Sequence, residues 1–178
     1  MDSREMFERA ASVASELARS ARPEQMGLPT PCTEWDVAAL LEHMAGGPAY
    51  MAGAVGADET AVQGWPDAAA VAAVSAWLAE PGALDRRCMS PAGFEWSVAE
   101  AAAGTAMDQL IHTWDLAVAL GADRTLDADL VEAVNAMFLP HMPDVGRQAG
   151  FVSAAVPIDA DASPQDVLLG AMGRDPRR

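Results

Sequence analysis

Basic residues are scarce in this chain. Lysine and arginine together number 11 against 26 acids, a formal charge of −15. Nucleic-acid binding needs a basic face that neutralises phosphates, and none is visible, so nucleic acid is excluded as a partner. An anionic membrane surface is disfavoured on the same ground, and the acidity reads as a solubility feature. Long apolar runs are missing too. The longest uncharged stretch, residues 44–57, holds four glycines and a proline and is too short and broken to span a bilayer. The charged, amphipathic start Met1-Asp-Ser-Arg-Glu-Met-Phe-Glu-Arg is not a signal peptide. These features predict a cytoplasmic protein. Cysteine is limited to Cys32 and Cys88, with no CxxC or CxH motif, which excludes a disulfide scaffold and predicts two reduced thiols. Aromatics make up only 6% while alanine is abundant, a balance that favours helices packed through small side chains. With 178 residues, 51% of them hydrophobic, residues 1–178 are expected to form a single domain with a sizeable core.

What is present is a succession of helical patterns. Residues 3–21 carry Met6, Ala10, Val13 and Leu17 as an apolar stripe, widened by Phe7 and Ala14. Pro23, Pro29 and Pro31 break that helix into a loop. A second helix starts near Trp35, with Thr33 or Asp36 as its N-cap. It buries Val37, Leu40, Leu41 and Met44, carries His43 at the edge of that face, and ends or kinks at Gly46-Gly47-Pro48, with residues 49–57 as a loose continuation. Asp67 caps a third helix to residue 79, with Val71, Val74, Trp77 and Leu78 as its apolar content. Residues 84–95 lack helical periodicity and read as an extended excursion or short hairpin. Ser97 and Glu100 form a capping box for a fourth helix reaching residue 120. The echo of Glu34-Trp-Asp-Val-Ala38 in Glu95-Trp-Ser-Val-Ala99 favours Asp36 as the second cap. A fifth helix over 127–140 carries Leu130, Val131, Val134, Met137 and Phe138 and is closed by Pro140 and Pro143. Residues 146–163 read as loop or short strand anchored by Phe151, Val152, Val156 and Ile158. Ser163, Pro164 and Asp166 then open a last short helix. Four main helices of twelve or more residues predict an all-α fold, a four-helix bundle with short extra C-terminal helices.

Histidine occurs three times, at His43, His112 and His141, and this narrows the search for chemistry. In the fourth helix Asp108, His112 and Asp115 are spaced i, i+4 and i+7 and share one stripe. Met107, Leu110, Ile111 and Trp114 flank it, so the stripe is either a solvated edge or a polar patch in a bundle core. A facing helix can bring His43 beside it. His43, Asp108 and His112 then offer three nitrogen and oxygen donors with a position left for water, which is the pattern of a catalytic metal site rather than a closed structural one. Zn²⁺ is the default ion, and Ni²⁺, Fe²⁺ or Mn²⁺ also suit such donors. Asp115 can orient His112 from behind. The plainer alternative is two partly buried histidines satisfied by hydrogen bonds. His141, between two prolines, reads as a surface or capping residue.

Three segments carry a resemblance. Pro29-Thr-Pro-Cys-Thr-Glu-Trp-Asp-Val-Ala-Ala-Leu-Leu-Glu-His43 resembles the first signature of the actinobacterial DinB/YfiT-like proteins related to mycothiol-dependent maleylpyruvate isomerase. Ile111-His-Thr-Trp-Asp-Leu-Ala-Val-Ala-Leu-Gly121 resembles the second. The end of the chain, Val156 to Pro176, is similar to the C-terminal motif of a single-domain subgroup. The resemblance implies a four-helix bundle holding one divalent metal through three side chains, which fall by position on His43, Asp108 and His112. The isomerase is similar in placing an acid four residues before its last histidine ligand, but that acid is glutamate. Asp108 is one methylene shorter, so the metal must shift or the helices must approach. The isomerase also carries an extra C-terminal domain that is not expected here.

Two functions of different class follow. One is a metal-dependent, thiol-linked isomerase or transferase acting on a small molecule, with the metal as Lewis acid or activator of a bound thiol or water. Mycothiol is the thiol cosubstrate that the resemblance implies. The alternative is a non-catalytic metal-binding module, a sensor or partner-binding protein; a bundle without metal is a third. Arg86 and Arg87 either bind a substrate carboxylate or are solvated. Cys32, in a loop before a helix start, is either a stabilised thiolate or a small buried anchor, and Cys88 has no supporting context. Trp35 and Trp114 read as packing residues near the cleft, and Trp65, Trp77 and Trp96 as core or loop anchors. Related bundles often pair, so a homodimer is a further expectation.

Overall fold

A computed structural model of the chain describes residues 1–178, residue 61 in its backbone alone. The chain falls into two compact units, Met1–Arg124 and Thr125–Arg178. In the first, α1 spans Ser3–Ser20, α2 Val37–Ala54, α3 Ala68–Leu78 and α4 Val98–Leu120. A small antiparallel hairpin, β1 Arg87–Met89 and β2 Glu95–Ser97, precedes α4 and pairs Cys88 with Trp96. Both α3 and α4 pack on α1 and α2, so the fold is the all-α bundle expected from the sequence. No helix among the described residues is long and apolar enough to cross a membrane.

Local chemistry sets the helix starts. The side chains of Asp2, Asp36 and Ser97 accept from the backbone N–H groups of Glu5, Ala39 and Glu100, satisfying amides that have no partner within the helix. At Ser97 the box closes, with Glu100 Oε2 accepting the Ser97 N–H at 2.7 Å. The core forms where small residues let helices approach. Ala14 and Ala18 of α1 meet Val37, Leu40 and Met44 of α2 and Leu116 of α4 in one cluster. This corrects the expected stripe of α1. Its buried face turns toward Ala11, Ala14, Ser15 and Ala18, leaving Val13 47% exposed. Trp96 donates through Nε1 to the Tyr50 hydroxyl at 2.7 Å, and that hydroxyl donates to the Met89 carbonyl at 3.0 Å. The hairpin is thereby pinned to α2.

The Gly-Gly-Pro stretch does not end α2, which continues through Pro48 to Ala54. A mid-helix proline has no N–H to return to the carbonyl four residues back. Here that carbonyl belongs to Met44, and the fully buried Gln109 of α4 supplies the missing donor, with Nε2 to Met44 O at 2.7 Å. Gly47 makes the room, because a Cβ there would stand 2.7 Å from Gln109 Nε2. What reads locally as a helix breaker is therefore a clasp between α2 and α4. It joins Met44 to Gln109, the immediate neighbours of His43 and Asp108.

In the second unit α5 spans Ala128–Phe138, α6 Met142–Gln148 and α7 Pro164–Ala171, with α5 packed on α7. Asp127 and Ser163 cap α5 and α7 through their side chains. Residues 142–148, expected as a proline stop followed by loop, form α6 instead. Pro143 lies in its first turn, where a missing N–H costs no intrahelical bond. Met137 and Phe151, expected as apolar anchors, are exposed.

Candidate metal centre

The site is assembled from α2, α4 and the loop before α2. Along α4, seventeen residues are buried on all sides of the helix, His112 and Asp115 among them, so the stripe runs from a partly exposed Asp108 into a polar patch in the core. The loop is braced by Thr30, whose hydroxyl donates to the Trp35 carbonyl at 2.8 Å and accepts the Cys32 N–H at 3.1 Å. Trp35 N–H in turn donates to the Cys32 carbonyl at 2.8 Å. That tight turn fixes Cys32 and Trp35 over the end of α2. The Trp35 ring stands 4.6 Å from the His43 ring and 5.7 Å from the His112 ring, while the two imidazoles are 4.7 Å apart.

His43, Asp108 and His112 converge. His43 Nε2 lies 3.3 Å from each carboxylate oxygen of Asp108, and His112 Nε2 lies 3.4 Å from Oδ1. One donor atom from each of the three lies within 4.8 Å of the others. The shorter side chain of Asp108 still reaches both imidazoles, and the clasp between Met44 and Gln109 lies directly beside it. The other nitrogen of His112, Nδ1, is 2.9 Å from Oδ2 of the fully buried Asp115, as the spacing suggested. The side chains of His43 and Asp108 keep 37% and 38% exposure against 9% for His112. The donor face is thus open on one side and closed on the other.

The electrostatics follow from this packing. Burial by itself raises the Asp108 carboxyl, but the His112 charge and the hydrogen bonds from His112 and His43 outweigh it, and the group stays below the usual carboxylate range. Burial likewise pulls His112 down. The Asp108 charge and hydrogen bonds with Asp108, Asp115 and Cys32 overcome that and hold the imidazole well above its ordinary value. The His112 ring lies between two carboxylates, Asp108 at Nε2 and Asp115 at Nδ1. A divalent cation against Nε2 would take the place of one of its protons, and two nitrogens with one carboxylate oxygen are donors that suit such an ion.

Sequence reasoning did not place Cys32 here. Its Sγ lies 3.3 Å from Asp115 Oδ2 and 3.9 Å from His112 Nδ1, across 83 and 80 positions of chain. No local spacing reveals a contact of that range; the Thr-Pro-Cys-x-x-Trp order was the one available signal. Arg86 and Arg87 are engaged elsewhere. Arg86 donates to the Val55 carbonyl at 2.8 Å, and Arg87 donates to the Glu95 carbonyl at 2.9 Å and faces Glu95 and Glu100. Cys88 lies 3.8 Å from the Tyr50 hydroxyl, and His141 sits exposed at the N-cap of α6.

Fold and site together define a helical bundle with an N, N, O donor cluster between two facing helices, of a kind suited to a divalent cation. The chain belongs to the mycothiol maleylpyruvate isomerase N-terminal domain family, whose model matches residues 7–117. That match lies wholly within the first unit and contains every residue of the donor cluster. The chain is also similar to uncharacterized proteins of two Mycobacterium tuberculosis strains, CDC 1551 / Oshkosh and H37Rv. Each is 29% identical over 187 residues, covering 99% of this chain and 100% of the relative. No solved structure matches the chain significantly.

Proposed function

We propose that the protein is a divalent-metal-dependent enzyme of the thiol-linked isomerase or transferase type, with His43, Asp108 and His112 as metal ligands and Zn²⁺ as the default ion. The observation that carries this is the convergence of His43 Nε2, His112 Nε2 and the Asp108 carboxylate at 3.3–3.4 Å on a half-exposed face. A closed structural site would bury all its donors; this one leaves an approach for a small molecule. When bound, the ion supplies Lewis acidity and lowers the pKa of a coordinated thiol or water. The chain's own residues do the rest. Asp115 accepts the Nδ1 proton of His112, which fixes the tautomer and presents Nε2 to the donor face. Trp35 lies against both imidazoles and holds their ring planes. The Gln109–Met44 clasp sets the separation of the helices that carry the ligands.

The thiol cosubstrate proposed is mycothiol, on the family's description, and maleylpyruvate is the first substrate to try on the same basis. The test is turnover of an electrophilic small molecule by the metal-loaded protein with and without thiol, beside a chelated sample and His112→Ala. Turnover that requires thiol and metal together and is lost in the variant is the expected result. Stoichiometric metal without thiol-dependent turnover across a panel of such substrates would instead make the protein a non-catalytic metal-binding module.

A further inference from the structure

His112 has two nitrogens, and each faces a different set of donors. Nε2 faces His43 and Asp108. Nδ1 faces Asp115 Oδ2 at 2.9 Å and Cys32 Sγ at 3.9 Å, and Sγ and Oδ2 are 3.3 Å apart. The second set is thus a triangle of sulfur, nitrogen and oxygen with edges of 2.9–3.9 Å. Ligands at about 2.0–2.3 Å from one tetrahedral ion stand on the order of 3.5 Å from each other, so the edges bracket that spacing. One donor atom from each of Cys32, His112 and Asp115 lies within 4.8 Å of the others.

We propose that Cys32, His112 and Asp115 form a second cation site, which favours divalent ions softer than Zn²⁺, such as Cd²⁺, and that it competes with the first site for His112. Charge and softness both favour this. A thiolate and a carboxylate carry two negative charges, which a divalent ion balances in a place where Asp115 is fully buried and His112 nearly so. The first set has a single carboxylate and leaves a divalent ion with a net positive charge on its exposed side. Thiolate donors select soft ions, whereas the first set offers only nitrogen and oxygen. Exclusivity follows from the ring. A neutral imidazole has one lone pair, so an ion on Nδ1 leaves the ring proton on Nε2, where the Asp108 carboxylate accepts it. The ion takes the place of the protons on Sγ and Nδ1, with no change of oxidation state. The ion that occupies Nδ1 removes a ligand from the first site and silences it.

This proposal stands apart from the functional reading, because its donors include Cys32 and Asp115 and neither His43 nor Asp108. The test is a Cd²⁺ titration of the reduced full chain, followed by the thiolate-to-cadmium absorption band in the ultraviolet. One equivalent is expected to develop the band in the wild type, in His43→Ala and in Cys88→Ser, whose removed thiol lies elsewhere. The band is lost in Cys32→Ser. Asp115→Asn keeps the thiol but needs about tenfold or more Cd²⁺ to reach the same band. In protein first loaded with Mn²⁺, the same addition releases Mn²⁺ as the band grows. No band in folded wild type, or an equal band in Cys32→Ser, would overturn the site. Full Mn²⁺ retention beside a full band would overturn the competition. Failure of Mn²⁺ to bind at all counts against the functional reading, and the cadmium band still decides this one.

Discussion

His112 draws its properties from Asp108 and Asp115 on its own helix, His43 on α2, and Cys32 and Trp35 in the loop before α2. Asp115 touches Nδ1 and not the open donor face, so its removal is read with Mn²⁺, an ion that the thiol-bearing set does not favour. Asp115→Asn is expected to weaken metal affinity about 10–100-fold by loss of the oriented Nδ1–H bond. Competition against a chromophoric chelator measures this, and an unchanged affinity would remove Asp115 from the account. The charged pair also ties stability to pH in the metal-free protein. Asp108 is held low, so its stabilisation is present above the ordinary carboxylate value and is lost as pH falls through its lowered folded value. His112 is held high, so its stabilisation is full below about pH 6.5 and is lost as pH rises through its raised folded value. Thermal melts with chelator are expected to show a maximum between about pH 4 and 6.5, with a decline above it that His112→Gln abolishes. A melting temperature that rises steadily above pH 6.5 would contradict that assignment. At this scale the stripe Asp108/His112/Asp115 was legible because it lies within two turns of one helix. Cys32 was not, because its site contacts exist only after α2 and α4 have packed.

Among the elements, α2 and α4 matter most, and their junction is held by an unusual pair. Pro48 orphans the Met44 carbonyl, and Gln109 satisfies it from the opposite helix. Gln109 Oε1 has no partner among the described residues, so the amide serves through its donor. Gln109→Leu leaves the Met44 carbonyl buried and unpaired and is expected to cost about 1–3 kcal/mol in urea unfolding. It is also expected to weaken metal binding, since the clasp adjoins His43 and Asp108. Wild-type stability in the variant would show that α2 tolerates its proline without help. The helix starts were legible because capping is chemistry within three or four residues: Asp36 and Ser97 cap where the pattern placed them. The ends were less so. Gly46-Gly47-Pro48 reads as a stop or as a kink with loose continuation, and Gln109, 61 positions beyond Pro48, is what allows the helix to continue. Pro143 reads as a stop only when its tolerated place in a first turn is ignored. Val13 is exposed and Ser15 buried because close packing against α1 selects small side chains over larger hydrophobic ones.

For the whole molecule, a bundle with two carboxylates and two histidines at one junction would gain stability from a bound cation. A ligand that binds only the folded state at a hundredfold excess over its Kd adds about 2.7 kcal/mol. A metal-dependent rise in melting temperature that vanishes in His112→Ala is therefore expected from calorimetry of the chelated and reloaded protein. The central claim, that this junction holds a metal, is tested most directly by elemental analysis of protein purified without chelator or metal-affinity tag, beside His112→Ala. Close to one divalent ion per chain is expected in the wild type and little in the variant. A wild type that carries no metal, and takes up none from added Zn²⁺, Ni²⁺ or Fe²⁺, would contradict it.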